Sequence, residues 1–211
     1  FTIGMLSFTV RQTIAVYYFT YNVGRPDLLS IFFGLGLIVM LIGLPAVPVL
    51  AARFGKAGAV QLGSLFSIFA CIGFYLTPAN DYFWTIFWGC LVALGGAPVA
   101  VLGWAMIPDT VEYAQWKHGK RADGAVYSSA SFFQKLAKAI GGAGVALALG
   151  AAGYVANTEQ TAETLEVIKQ MLTLVPVVLM TLALVLARFY RLDSELHGYI
   201  RAELQARARV A

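Results

Sequence analysis

Charge is what this chain has least of. Only 12% of its 211 residues are Asp, Glu, Lys or Arg, against 59% hydrophobic, and mean hydropathy is +0.74. A soluble domain carries roughly 25% charged residues, so a water-soluble fold is excluded. Cysteine is nearly absent: Cys71 and Cys90 sit inside apolar runs, with no spacing for a disulfide or a metal cage, and read as small buried hydrophobes. The two histidines, His118 and His197, fall in polar segments, there is no HExxH pattern, and no apolar run has an Asp or Glu at its middle. Catalysis within a bilayer would need such a constellation, so the chain is not expected to be an enzyme, and no cofactor or metal is expected. Strict apolar–polar alternation is missing too, which excludes the strands of a membrane barrel. The net charge of +4 does not point to nucleic acid, because the basic residues gather at the ends of the apolar runs, where lipid and membrane topology account for them.

What is there is a series of runs near the 20 apolar residues that a membrane-crossing helix needs. Six are expected, at about 1–23, 28–52, 58–77, 82–108, 124–154 and 169–187, forming a six-span bundle over 1–187, followed by a tail over 188–211. The chain opens on Phe1-Thr-Ile-Gly, without an initiator methionine or a basic leader, and so reads as a piece whose true N-terminus lies upstream. In the first span Gly4, Ser7, Arg11, Tyr18 and Asn22 recur at helical spacing as a polar stripe. Arg11 sits near its middle; it either faces a cavity, which the rarity of charge at that depth favours, or snorkels from a helix that starts earlier. Gly24-Arg-Pro-Asp27 ends the span as a turn, Pro45 and Pro48 bend the second span, and the third reads as scaffold. The fourth carries an aromatic belt (Tyr82, Phe83, Trp84, Phe87, Trp88), then Gly95, Gly96 and Pro98, then Trp104. Trp104 is a core residue by default and a stacking surface for a sugar ring if it faces a polar cavity.

The fifth span concentrates the polarity. Ser128, Ser131, Lys135 and Lys138 are spaced three, four and three apart on one helical sector, with Tyr127 and Gln134 on its flank and Phe132, Phe133, Leu136 and Ile140 opposite. Such a sector must face protein or water, not lipid. Gly142, Ala146 and Gly150, four apart, predict a small-residue packing face further on. Of the fifteen Lys and Arg residues, ten fall on the side shared by the second loop, the fourth loop and the tail, two on the other side and three within spans. The positive-inside rule then puts the Asp109–Arg121 segment and the tail in the cytoplasm of an inner, plasma-membrane protein.

That segment, squeezed between the fourth and fifth spans, reads Asp109-Thr-Val-Glu112-Tyr113-Ala-Gln115-Trp116-Lys117-His118-Gly119-Lys120-Arg121-Ala-Asp123-Gly124. Asp109 and Glu112 share one face of a helix end, and Lys120 and Arg121 return to the membrane surface, which can close an entrance by ion pairs; the plain alternative is a solvated charged loop. The pattern of Asp109, Glu112, Tyr113, Trp116, Lys117, Gly119, Arg121, Asp123 and Gly124, followed by Tyr127-Ser128 and the embedded Lys135, resembles the glycoside–pentoside–hexuronide:cation symporters, a branch of the major facilitator superfamily. The Tyr17-Tyr18-Phe-Thr-Tyr21 run and Arg188-Phe-Tyr-Arg191-Leu are similar to it as well, so the resemblance spans essentially the whole chain. Ala114 and Gln115 depart from the Gly-Glu often found there, which weakens the expected gate.

The resemblance implies an all-α membrane protein, the second six-helix half of a twelve-helix transporter, whose partner is the first half. It implies cation-coupled symport (Na⁺ or H⁺) of a small sugar, with the cation-coordinating carboxylates in the first half. It places Lys135 near the sugar and cation, and Asp109, Glu112 and Arg121, with Lys117 beside them, at the inner gate. Arg11, Tyr18, Trp104, Tyr127, Ser131, Gln134 and Lys138 join Lys135 as candidate pathway residues. Lipid or lysolipid movement on the same fold, and a purely structural membrane subunit, are the other expectations.

Overall fold

The computed structural model describes residues 2–119, 122–188 and 194–210, and these are helices and connecting turns without a strand. The order is α1 (Thr2–Tyr17), α2 (Leu28–Gly43), α3 (Ala46–Leu76), α4 (Tyr82–Ala105), α5 (Ile107–His118), α6 (Asp123–Ala151), α7 (Ala162–Ala187) and α8 (Ser194–Val210). A wider, π-helical turn, Tyr18–Asn22, prolongs α1.

Four helical stretches are alone long and apolar enough to cross a membrane: α3, α4 running into α5, α6, and α7. The shorter apolar helix α2 is completed by the start of α3. Pro45 separates α2 from α3, because it supplies no N–H for the helical ladder and clashes with the preceding turn. Within α3, Gly55 lies at φ 73°, ψ 166°, a backbone region that is essentially glycine's alone. There the chain turns back. Ala46–Phe54 thereby completes the pass begun by α2, and Lys56–Leu76 forms the next one antiparallel to α4, with Gly63 against Gly95 at one level and Gly73 against Trp88 at another.

The helix ends follow from local chemistry. Asp81 caps α4 by accepting from the Trp84 N–H at 3.3 Å, Thr161 caps α7 through the Thr164 N–H at 3.2 Å, and Gly119 closes α5 in the left-handed conformation. The last expected span, 169–187, starts earlier, because α7 begins at Ala162 on that threonine cap.

The main core joins α1, α2, α3, α6 and α7 at the end remote from α5, through Ile14, Phe19, Phe32, Phe74, Val145, Leu149, Ile168 and Leu172. Where α3 crosses α4 the backbones nearly touch: a Cβ on Gly95 would lie 2.4 Å from the Ser67 Oγ and 2.8 Å from the Gly63 carbonyl oxygen. The packing glycine of α6 is Gly141, whose Cβ would meet Thr9 at 3.1 Å, whereas Gly142 and Gly150 face open space within this bundle. The expected small-residue face is thus rotated by one residue, because α6 seats itself by Ala137, Gly141, Val145 and Leu149.

Candidate functional site

Three faces of α6 can be told apart. The stripe of Ala137, Gly141, Val145 and Leu149 is buried against the rest of the bundle. A second face is apolar and open: Phe132 is 60% exposed and Ile140 53%, with Phe133 and Leu136 beside them. The third carries Tyr127, Ser128, Lys135 and Lys138, all exposed, with Ser131 and Gln134 half-buried at its edge. Lipid accepts the second face but not the third, since a hydrocarbon medium offers nothing to ammonium and hydroxyl groups. The polar face is therefore a wall that this bundle presents to water or to further protein.

The expected pathway residues divide. Tyr127, Ser128, Ser131, Gln134, Lys135 and Lys138 come together along α6. Trp104, at the last turn of α4, is 41% exposed. Tyr18 instead fills the core, fully buried, edge-on to Phe74 with ring centroids 5.6 Å apart. Arg11 is half-buried, and its Nε is sealed from solvent without a hydrogen-bond partner. Gly141 packs on Leu6 and Thr9, which sets Arg11 level with about Val145, so at 1.5 Å per residue it stands roughly 15 Å along the bundle from Lys135. The polar stripe seen on α1 is real as a stripe, but it turns inward.

The segment read as a loop is mostly the helix α5, stopped by Gly119. Asp109 is buried (6% exposed), and its carboxylate accepts from the Lys56 ammonium at 2.5 Å. Lys56 also reaches the Ala105 carbonyl at 3.3 Å, so one ammonium ties the start of the third pass to the joint between α4 and α5. Glu112 is half-buried, and Lys117 is exposed, with its ammonium 5.7 Å above the Tyr113 ring. Arg121 lies outside the described residues.

Two partners escaped the reading of the sequence. Lys56 lies 53 positions from Asp109, and the only cue was a cation in a short loop on the same side. Glu203 of α8 accepts from the Trp116 indole N–H at 2.6 Å, and Ile200 of the same helix is fully buried. The tail segment Ser194–Val210 therefore docks on α5. At the opposite end Tyr21 and Tyr154 share a hydroxyl–hydroxyl bond of 2.9 Å, the Asn157 N–H donates to Tyr21 at 3.2 Å, and Asn22 donates to the Leu165 carbonyl at 2.8 Å. These contacts staple the π-helical turn to the α6–α7 connection.

Among known proteins, a family described as MFS/sugar transport protein matches residues 1–194. An uncharacterized symporter, YnaJ, of Bacillus subtilis is 32% identical over 202 residues, covering 96% of this chain and 44% of the relative. A putative sulfoquinovose importer of Escherichia coli is 34% identical over 206 residues, with 96% and 44% covered. An isoprimeverose transporter of Lactiplantibacillus pentosus is 35% identical over 190 residues, with 90% and 40% covered. The chain thus spans under half the length of these relatives, as a six-helix half should. These are names of transporters and not of enzymes, and the resemblance to the glycoside–pentoside–hexuronide symporters agrees with them. With helices, spacing and family pattern in agreement, the chain belongs to the MFS/sugar transport protein family.

Proposed function

We propose that the complete protein carries a glycoside or related sugar across the inner (plasma) membrane together with Na⁺ or H⁺, and that this chain is its second six-helix half. The observation that carries this reading is the exposed polar face of α6, with Lys135 at its centre, beside an apolar face of the same helix. Family membership and relatives named as a symporter, a sulfoquinovose importer and an isoprimeverose transporter support it. A glucuronide carrier homolog and a putative 2,3-dihydroxypropane-1-sulfonate exporter, both of Escherichia coli, are also among the relatives.

In this reading the first half closes over the α6 face, and the sugar binds near the membrane midplane between the halves, which rock about it in alternating access. Tyr127, Ser131, Gln134, Lys135 and Lys138 line the path, Trp104 offers a ring face to the sugar, and Arg11 and Tyr18 stiffen α1 from behind the wall. Carboxylates of the first half stabilise the Lys135 ammonium, and a bound cation competes with that lysine for them, which couples the two fluxes. Asp109, Glu112, Lys117 and Arg121 form the inner gate around α5, in the cytoplasm with the tail over 188–211. The 1–187 bundle and the tail act as separate parts, one forming the path and the other serving the gate. No cofactor is required.

The test is uptake of labelled glycosides, pentosides and hexuronides into right-side-out vesicles holding the complete transporter, with and without Na⁺ and at two external pH values. Cation-dependent accumulation of at least one sugar is expected. No accumulation under any gradient would overturn the reading, and unchanged uptake in Lys135→Ala would remove that lysine from the mechanism.

A further inference from the structure

We infer that Arg11 and Ser7, inside this bundle and behind the α6 wall, form a binding site for a small inorganic anion such as chloride. The site is separate from the sugar path and does not depend on what the transporter carries. Ser7, Arg11, Ile14 and Tyr18 are spaced four, three and four apart, which puts them on one face of the helix. Ser7, Ile14 and Tyr18 are fully buried, so that face turns into the bundle. Arg11 stands among them, half-buried. Its Nε and the Ser7 Oγ are both sealed from solvent and have no hydrogen-bond partner among the described residues. Side chains on a helix lean toward its N-terminus, so the guanidinium leans toward Ser7, one turn away.

A guanidinium keeps its proton in a protein. Inside a bundle it needs an opposite charge, and a sealed hydroxyl without a partner is costly as well. The helices α1, α2, α3 and α4 contain no Asp or Glu. Those of α6 and α7, Asp123, Glu163 and Glu166, stand near the helix starts. Tyr18 packs on Phe74, and Gly4 shares a cavity with Val60 and Ser64, so α1 and α3 run side by side in one direction. Arg11 is therefore level with about Ser67 and Cys71, both buried and neutral. Water can satisfy hydrogen bonds at such a place but leaves the charge uncompensated. A halide accepts from the guanidinium and the Ser7 hydroxyl together and neutralises the charge at once. A way in exists too. An open cavity of about 240 Å³ reaches from Met106 and Ala187, at the α5 end, to Gly4 and Ser64. Gly4 lies three residues before Ser7, about 4.5 Å along the helix.

The experiment uses the complete transporter, purified in chloride-free gluconate, and measures equilibrium binding of radiolabelled chloride together with thermal unfolding in chloride, bromide and gluconate. Saturable binding displaced by bromide is expected in the wild type. Chloride should raise its unfolding midpoint above that in gluconate, since a ligand held only by the folded state stabilises it. In Ser7→Ala the affinity falls by about tenfold, as for one lost hydrogen bond to a charged group. In Arg11→Met binding disappears, and the midpoint in gluconate is no lower than the wild type's, because the uncompensated charge has gone. If a carboxylate of the protein were the partner of Arg11, Arg11→Met would strand it and lower the midpoint in every salt, which overturns the inference. Absence of saturable chloride binding by the wild type, or an affinity unchanged in Ser7→Ala, overturns it as well. Binding that survives in Arg11→Met does the same, because the ion then sits on other cations. None of these results bears on the sugar-transport reading, which the uptake panel tests by itself.

Discussion

Asp109 shows how much a single buried charge depends on its surroundings. Its carboxylate is almost sealed from solvent and rests on an ammonium delivered from the far side of a helical hairpin. Lys56→Ala removes that ammonium and with it a charged partner of a nearly buried carboxylate. Loss of a charged hydrogen-bond partner at a buried acceptor costs about 1–3 kcal/mol; the Lys56 side chain is 34% exposed, which puts the expectation at the lower end. Limited proteolysis around Gly119 in the complete transporter checks it: cleavage accelerates in Lys56→Ala, and the exchanged pair Lys56→Asp with Asp109→Lys slows it again. Cleavage unaffected by either change would show that the pair does not hold α5. Trp116 offers a smaller case. Trp116→Phe keeps the ring but deletes the indole donor to Glu203, with an expected cost of about 1 kcal/mol, read as faster proteolytic release of the segment containing α8.

At the scale of elements, the crossing of α3 and α4 is a joint where two backbones nearly touch. Without a solvent-driven hydrophobic effect inside the membrane, helices associate by close van der Waals approach, which small residues permit. Gly63, Ser67 and Gly95 supply that approach. Gly95→Ala places a methyl carbon where Ser67 and the Gly63 carbonyl already are, and overpacking of this kind costs about 1–3 kcal/mol. Gly34→Ala is the control, since a Cβ there meets nothing within 4 Å. Thermal unfolding in detergent should therefore separate the two variants, with Gly95→Ala lowered and Gly34→Ala unchanged; equal midpoints would show that the crossing yields. The turn at Gly55 belongs to the same scale. Gly55→Val puts a branched side chain at a positive φ, and lower yield of folded transporter is the expected outcome.

The whole molecule is an incomplete surface. One wall of α6 is polar and exposed, a neighbouring face is apolar, and the chain covers 44% of a relative named as a symporter. Membrane topology is the property of the whole that is simplest to measure. Single cysteines at Asn80 or Asn157, introduced in the complete protein lacking Cys71 and Cys90, should react with an impermeant thiol reagent added outside cells. One at His118 should react only after the membrane is opened. The reverse pattern would invert the proposed orientation and place the inner gate outside.

The sequence alone determined the class of molecule and most of its helices. Twenty-residue apolar runs have few ways to satisfy their backbone in lipid, so the starts of α2, α4 and α6 were legible to within a residue, while their ends, above all the break at Gly43, fell earlier than the apolar runs suggested. The polar sector of α6 was equally legible, because the spacing of Ser128, Ser131, Lys135 and Lys138 is fixed by the helix itself. Only the tertiary structure decided what faces what. A helical wheel tells which residues share a side but not which side turns inward, and so Tyr18 entered the core while Lys135 stayed at the surface. Gly141 replaced Gly142 at the packing seam for the same reason. Pairings across long stretches of chain, Lys56 with Asp109 and Trp116 with Glu203, carry no local signal at all. They exist because the turn at Gly55 and the stop at Gly119 bring those ends together, and nothing in the spacing of charges could have announced them.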